Sequence, residues 1–129
     1  MIIGIDASRA NKSIKTGVEW YSYHVINQFK SLDTTDRFFL YTNTPLQGDL
    51  ARLPSNFHQA LLKWPLKKMW TVIRLSWEMK FGKFKPDVLF VSAHTLPLWL
   101  PERSVVTVHD VGYARFPELY KTADKWYHK

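Results

Sequence analysis

The chain contains no cysteine. Disulfides, thiolate nucleophiles and cysteine-based zinc sites are thereby excluded, and a reducing compartment is the natural setting. There is no apolar run of about 18 residues, the length a membrane-spanning helix requires. Glycine is sparse, at 5 of 129 residues. Neither Gly-x-Gly-x-x-Gly nor a Gly-Lys-[Ser/Thr] loop occurs, so dinucleotide-fingerprint and Walker-type phosphate binding fail. No Ser sits in a Gly-x-Ser-x-Gly elbow, which argues against a hydrolase triad. The five histidines show no His-x-x-x-His or His-Glu-x-x-His spacing, so no metal is expected. Met1-Ile2-Ile3-Gly4 opens directly into a strand pattern without a basic leader or cleavage site, so the expected location is cytoplasmic.

Acidic residues are also scarce, 11 against 18 Lys and Arg, for a net charge of +7. The excess is local. Lys63, Lys67, Lys68, Arg74, Lys80, Lys83 and Lys85 face a single acid, Glu78, and the remainder of the chain is close to neutral. This segment is interleaved with Trp64, Trp70, Trp77, Phe81 and Phe84. One reading is a helix over 67–81 that buries Trp70, Ile73, Trp77 and Phe81 and leaves its lysines in solvent. The other is a monotopic anionic membrane surface presented by Lys67, Lys68, Trp70, Arg74, Trp77 and Lys80, with the protein peripheral at the inner face of the membrane. No recognised nucleic-acid-binding motif accompanies these residues, so nucleic acid is not an expected partner.

At 46% hydrophobic and 22% charged residues the chain has an ordinary globular composition and the size of one domain. Apolar strands are expected at Ile2–Ile5, Arg37–Asn43, Phe57–Trp64, Val88–Val91 and from Ser104. Val18, Tyr21, Val25, Ile26, Phe29 and Leu32 carry helical spacing, with Thr16 as N-cap and Glu19 completing a capping box. The order β-α-β-β-α-β-β predicts an α/β fold, a Rossmann-like, mostly parallel sheet with helices on both faces. Ser104 to Asp110 reads as a buried strand that ends abruptly in His109-Asp110. Asp6 and His94 also fall at strand ends, and in a parallel sheet such residues share the edge where ligands bind. Gly17 opens the first helix just after the first strand, an arrangement suited to an anion, though a glycine there is often only a cap.

Met1-Ile2-Ile3-Gly4-Ile5-Asp6-Ala7-Ser8-Arg9, Lys15-Thr16-Gly17-Val18-Glu19-Trp20-Tyr21, Asp87-Val88-Leu89-Phe90-Val91-Ser92-Ala93-His94, Leu96-Pro97 and Val106-Thr107-Val108-His109-Asp110 occur in that order. Together they resemble the amino-terminal domain of family-4 retaining glycosyltransferases of the GT-B fold. Phe116-Pro117-Glu118-Leu119-Tyr120 resembles the segment that follows. The resemblance implies that residues 1–129 are the acceptor-side half of an enzyme moving a sugar from a nucleotide-sugar donor to a glycan or lipid-linked acceptor, with no further cofactor. It implies His109 as the catalytic candidate beside the transferred sugar, Gly17 and Thr16 with His109 on the donor side, and Asp110 and His94 on the acceptor side. The family's donor domain carries two glutamates separated by seven residues. Glu19, Glu78, Glu102 and Glu118 include no such pair, so the chain is expected to be a truncated, inactive half. A stand-alone, non-catalytic module for an anionic membrane surface is the alternative expectation.

Overall fold

The computed structural model describes residues 1–66 and 69–110. Five strands form one all-parallel sheet: β1 (Ile2–Asp6), β2 (Arg37–Thr42), β3 (Phe57–Leu61), β4 (Val88–Val91) and β5 (Arg103–Val106), in the spatial order β3-β2-β1-β4-β5. This is an α/β Rossmann-like fold. Strand order reverses at β1, and in open parallel sheets ligands bind outside the carboxyl ends of the strands at such a switch point.

Alternation along the strands divides the core into two layers. On one face Ile5, Phe38, Leu40 and Phe57 pack with Ile26 of helix α1 (Gly17–Lys30). On the other, Phe39, Tyr41, Leu89 and Val91 pack with Leu75 and Met79. The latter two belong to a π-helical turn, Trp70–Leu75, that runs straight into helix α2, Ser76–Phe81. Helices therefore cover both faces, and the central strands read as continuous apolar runs. Gly4 of β1 leaves no room for a side chain, since a Cβ there would lie 2.8 Å from Tyr41 Cε2 and 3.0 Å from Pro86 Cγ.

The elements appear in the predicted order, but β3 ends at Leu61 rather than Trp64 and β5 ends at Val106, so that His109 and Asp110 lie in the loop beyond it. Three faces also differ from expectation. The helical apolar spacing predicts one buried face that includes Tyr21 and Leu32, but both are exposed, and Leu32 lies beyond the end of α1. The buried positions are Glu19, Ser22 and Ile26, because the two polar residues find internal partners described below. Strand β5 is an edge rather than a buried strand: it pairs with β4 alone among the described residues, and Val105 is 53% exposed.

The third difference is in the basic segment, where the helix predicted over 67–81 begins as a π turn. A π turn spends one residue more per turn than an α-helix. From Trp70 the buried positions consequently step to Leu75 and Met79. Ile73, Trp77 and Phe81 rotate outward, Trp77 to 58% exposure and Phe81 to 57%. Trp70 is the reverse case. Expected on the membrane-facing surface, it is only 6% exposed and donates its indole N–H to the Leu62 carbonyl at 2.9 Å. Lys67 and Lys68 lie outside the described residues, as does the segment 116–120.

This register yields a contrast between two tryptophans of one segment. Trp70→Ala should cost about 3–5 kcal/mol of folding stability as a core truncation, whereas Trp77→Ala should cost about 1 kcal/mol or less. Urea denaturation of both variants checks it, and equal losses would contradict the π-turn register.

Candidate functional site

The edge that receives the ends of β1, β4 and β5 gathers Asp6, Ser92, His94 and His109 with the first turns of α1. Asp6, the last residue of β1, is buried and saturated with donors. Its Oδ1 accepts the Ser8 amide at 3.0 Å and the Ser8 hydroxyl at 2.6 Å, and its Oδ2 accepts the Thr71 hydroxyl at 3.1 Å. Burial pushes the Asp6 carboxyl above the usual range, against the pull of the Ser8 and Thr71 hydrogen bonds and the Arg9 charge. Asp6 thus folds the β1–α1 loop back on itself and ties it to the π turn on the opposite face of the sheet.

The loop then reaches Glu19, a charged residue buried in the first turn of α1. Its Oε1 accepts Arg9 Nη1 at 3.3 Å and Lys12 Nζ at 3.0 Å. Its Oε2 accepts the Thr16 amide at 3.2 Å and also the Thr16 hydroxyl, which completes the predicted cap. Burial alone would raise this carboxyl, but the Thr16 and Lys12 hydrogen bonds and the Lys12 charge outweigh it and hold the pKa at about 2. Thr16, expected on the donor side, is thereby committed to Glu19. Gly17, next to it, is exposed, and a Cβ built on it meets nothing within 4 Å. Its missing side chain serves no internal packing.

Ser22, one turn further along α1, is fully buried. Its hydroxyl donates to Val18 O at 2.9 Å and lies 2.5 Å from Ser92 Oγ just beyond β4. Tyr21 reaches the end of β5, its hydroxyl 3.2 Å from Thr107 Oγ1 and its ring edge-on to His109 at 5.0 Å. His109 Nε2 stands 2.7 Å from the Ser92 carbonyl. A carbonyl only accepts, so Nε2 is the donor in this contact. Ser22 and Tyr21 thus join α1 to Ser92 and to His109, one turn beyond the Gly17 that opens the helix. His94 is half-buried two residues beyond Ser92, and Asp110 is exposed at the end of the described chain. Among the described residues no three His, Cys, Asp or Glu side chains converge as metal ligands.

On the other side of α1, toward the loop after β2, a cleft of about 350 Å³ opens among Asn11, Lys12, Lys15, Trp20, Tyr23 and Asp49. Asn11 shapes it by donating to Thr44 Oγ1 at 3.0 Å and to the Pro45 carbonyl at 2.9 Å, and by accepting the Gln47 amide at 3.0 Å. The sequence pattern marks neither this cleft nor the Ser22–Ser92 and Tyr21–His109 contacts. Their partners are separated by 70 and 88 positions, and no local period connects them. Comparison of the chain with protein-family models, with curated proteins and with solved structures returned no match.

The Glu19 cluster has a pH signature. A carboxyl held at about 2 when folded, against 4.5 in the free side chain, stabilises the fold above the free value and loses that contribution as pH falls toward 2. Glu19→Gln should therefore be less stable than the wild type at pH 7, and the gap should close between about pH 4.5 and 2. Chemical denaturation across that range measures it, and a gap independent of pH would refute the ion-pair account.

Proposed function

We propose that this chain is the acceptor-side domain of a nucleotide-sugar-dependent glycosyltransferase, carrying sugar from a nucleotide donor to a glycan or lipid-linked acceptor. The reading rests on the motif resemblance together with one observation: the first turns of α1, which Gly17 opens, contact the β4 terminus and His109 through Ser22 and Tyr21. An exposed α1 N-terminus without a Cβ in front of it offers backbone N–H groups to a diphosphate. His109, braced by Ser92 and Tyr21, presents its remaining ring nitrogen and main chain to a sugar hydroxyl. The cleft on the other side of α1, with an aromatic wall of Trp20 and Tyr23 and the polar groups of Asn11 and Asp49, has the mixed chemistry that a glycan requires. The donor-binding half, with its paired glutamates, is supplied by a second domain in this proposal, so the 129 residues alone turn over no nucleotide sugar.

Gly17→Ala separates a functional glycine from a structural cap. In the open space around Gly17 the substitution should leave stability unchanged or raise it by up to about 1 kcal/mol. It should also weaken the binding of nucleoside diphosphate sugars, followed by chemical-shift changes at residue 17 and His109. Detectable sugar transfer by the isolated chain would overturn the half-site. Absence of any shift at these residues in the wild type would overturn the donor-side assignment.

A further inference from the structure

The outward face of α2 carries chemistry that the carboxyl edge does not use. The π turn directs Ile73, Trp77 and Phe81 into solvent. Trp77 and Phe81 pack at 4.6 Å between ring centroids, and Phe81 meets Trp99 edge-on at 6.4 Å. Trp99 comes from the loop after β4, which is clipped onto the helix by the Leu98 amide donating to Ser76 Oγ at 2.7 Å. The clip brings exposed Leu98, Trp99 and Leu100 alongside the α2 aromatics. One continuous apolar surface thus spans two elements that sequence spacing does not relate.

One cation lies among these rings, and a second stands over Phe84, which stacks on Phe39 of β2 at 5.1 Å. Lys80 Nζ stands 4.2 Å from the Trp99 ring centroid and 5.4 Å from that of Phe81, and Lys83 Nζ stands 5.7 Å from that of exposed Phe84. Glu78 is the sole acid from Trp70 to Lys85, and it is occupied by Arg74 at 3.1 Å. Along α2 the face is therefore apolar at its centre and positive around it, with the one acid of that helix paired to Arg74, while exposed Glu102 lies two residues beyond Leu100. Exposed apolar surface of this kind marks a contact site, and the charge specifies an anionic one. Stacked nucleobases fit poorly, because Lys80 already stands over the Trp99 ring. Aromatic rings at a headgroup boundary, with lysines reaching the surrounding phosphates, meet both requirements. Among the described residues no helix is long and apolar enough to cross a bilayer.

We propose that this face docks the chain on an anionic lipid surface, with Trp77, Phe81, Leu98 and Trp99 entering the headgroup boundary and Lys80, Lys83 and Lys85 contacting lipid phosphates. The proposal does not rest on the glycosyltransferase reading, and it replaces Trp70 of the sequence expectation with Trp99. The test is co-sedimentation of the full chain, without nucleotide sugar, with phosphatidylglycerol–phosphatidylcholine vesicles and with pure phosphatidylcholine vesicles, at low and high salt. Binding is expected on the anionic vesicles and should weaken with salt. Lys80→Ala/Lys83→Ala should lower the partition coefficient about thirtyfold, and Trp77→Ser/Trp99→Ser should abolish binding while circular dichroism and thermal melting show an intact fold. Equal binding to both vesicle types, insensitivity to salt, or no binding at all would overturn the proposal. So would self-association without vesicles that the Trp77→Ser/Trp99→Ser variant removes, since that outcome assigns the face to a second copy of the chain.

Discussion

The structure depends on the enclosure of β1. It is hydrogen-bonded to β2 on one side and β4 on the other, with a helix over each face. A strand so placed exposes neither edge nor face, and its one polar outlet is its carboxyl end. The chain must leave the sheet there, at Asp6, and it does so with a buried carboxyl surrounded by three hydroxyl and amide donors. Everything proposed for the ligand edge follows from that exit: the β1–α1 loop and the exposed start of α1.

Helix α1 shows how a polar face can be a core face. Glu19 and Ser22 occupy positions that an amphipathic pattern reserves for apolar residues. Glu19 is stabilised there by two cations and the Thr16 cap, and Ser22 by Val18 and Ser92. Burying them without these partners would be strongly unfavourable. Their placement fixes the rotation of α1, and that rotation carries Tyr21 outward to brace His109.

Helix α2 makes the complementary point. One additional residue in the turn after Trp70 exchanges the buried and exposed sides of everything that follows. The same apolar residues that describe a core stripe at α-helical spacing become a solvent-facing cluster, and Leu75 and Met79 take their place against the sheet. Of the four apolar positions that α-helical spacing places in the core, Trp70 alone is buried, and Ile73, Trp77 and Phe81 are exposed.

Sequence alone was sufficient for the element order, the parallel α/β class, the α1 cap and the residues at strand ends, because these depend on local period, capping chemistry and β-branched runs such as Val88–Val91. Its motifs also suffice to raise the glycosyltransferase reading of Gly17, His94, His109 and Asp110. Strand order, the edge position of β5, the His109–Ser92 and Tyr21–His109 contacts, the cleft around Trp20 and the outward turn of Trp77 and Phe81 were decided only by tertiary structure. Each depends on residues far apart in the chain, or on a helical pitch set by packing, and local residue spacing does not encode either.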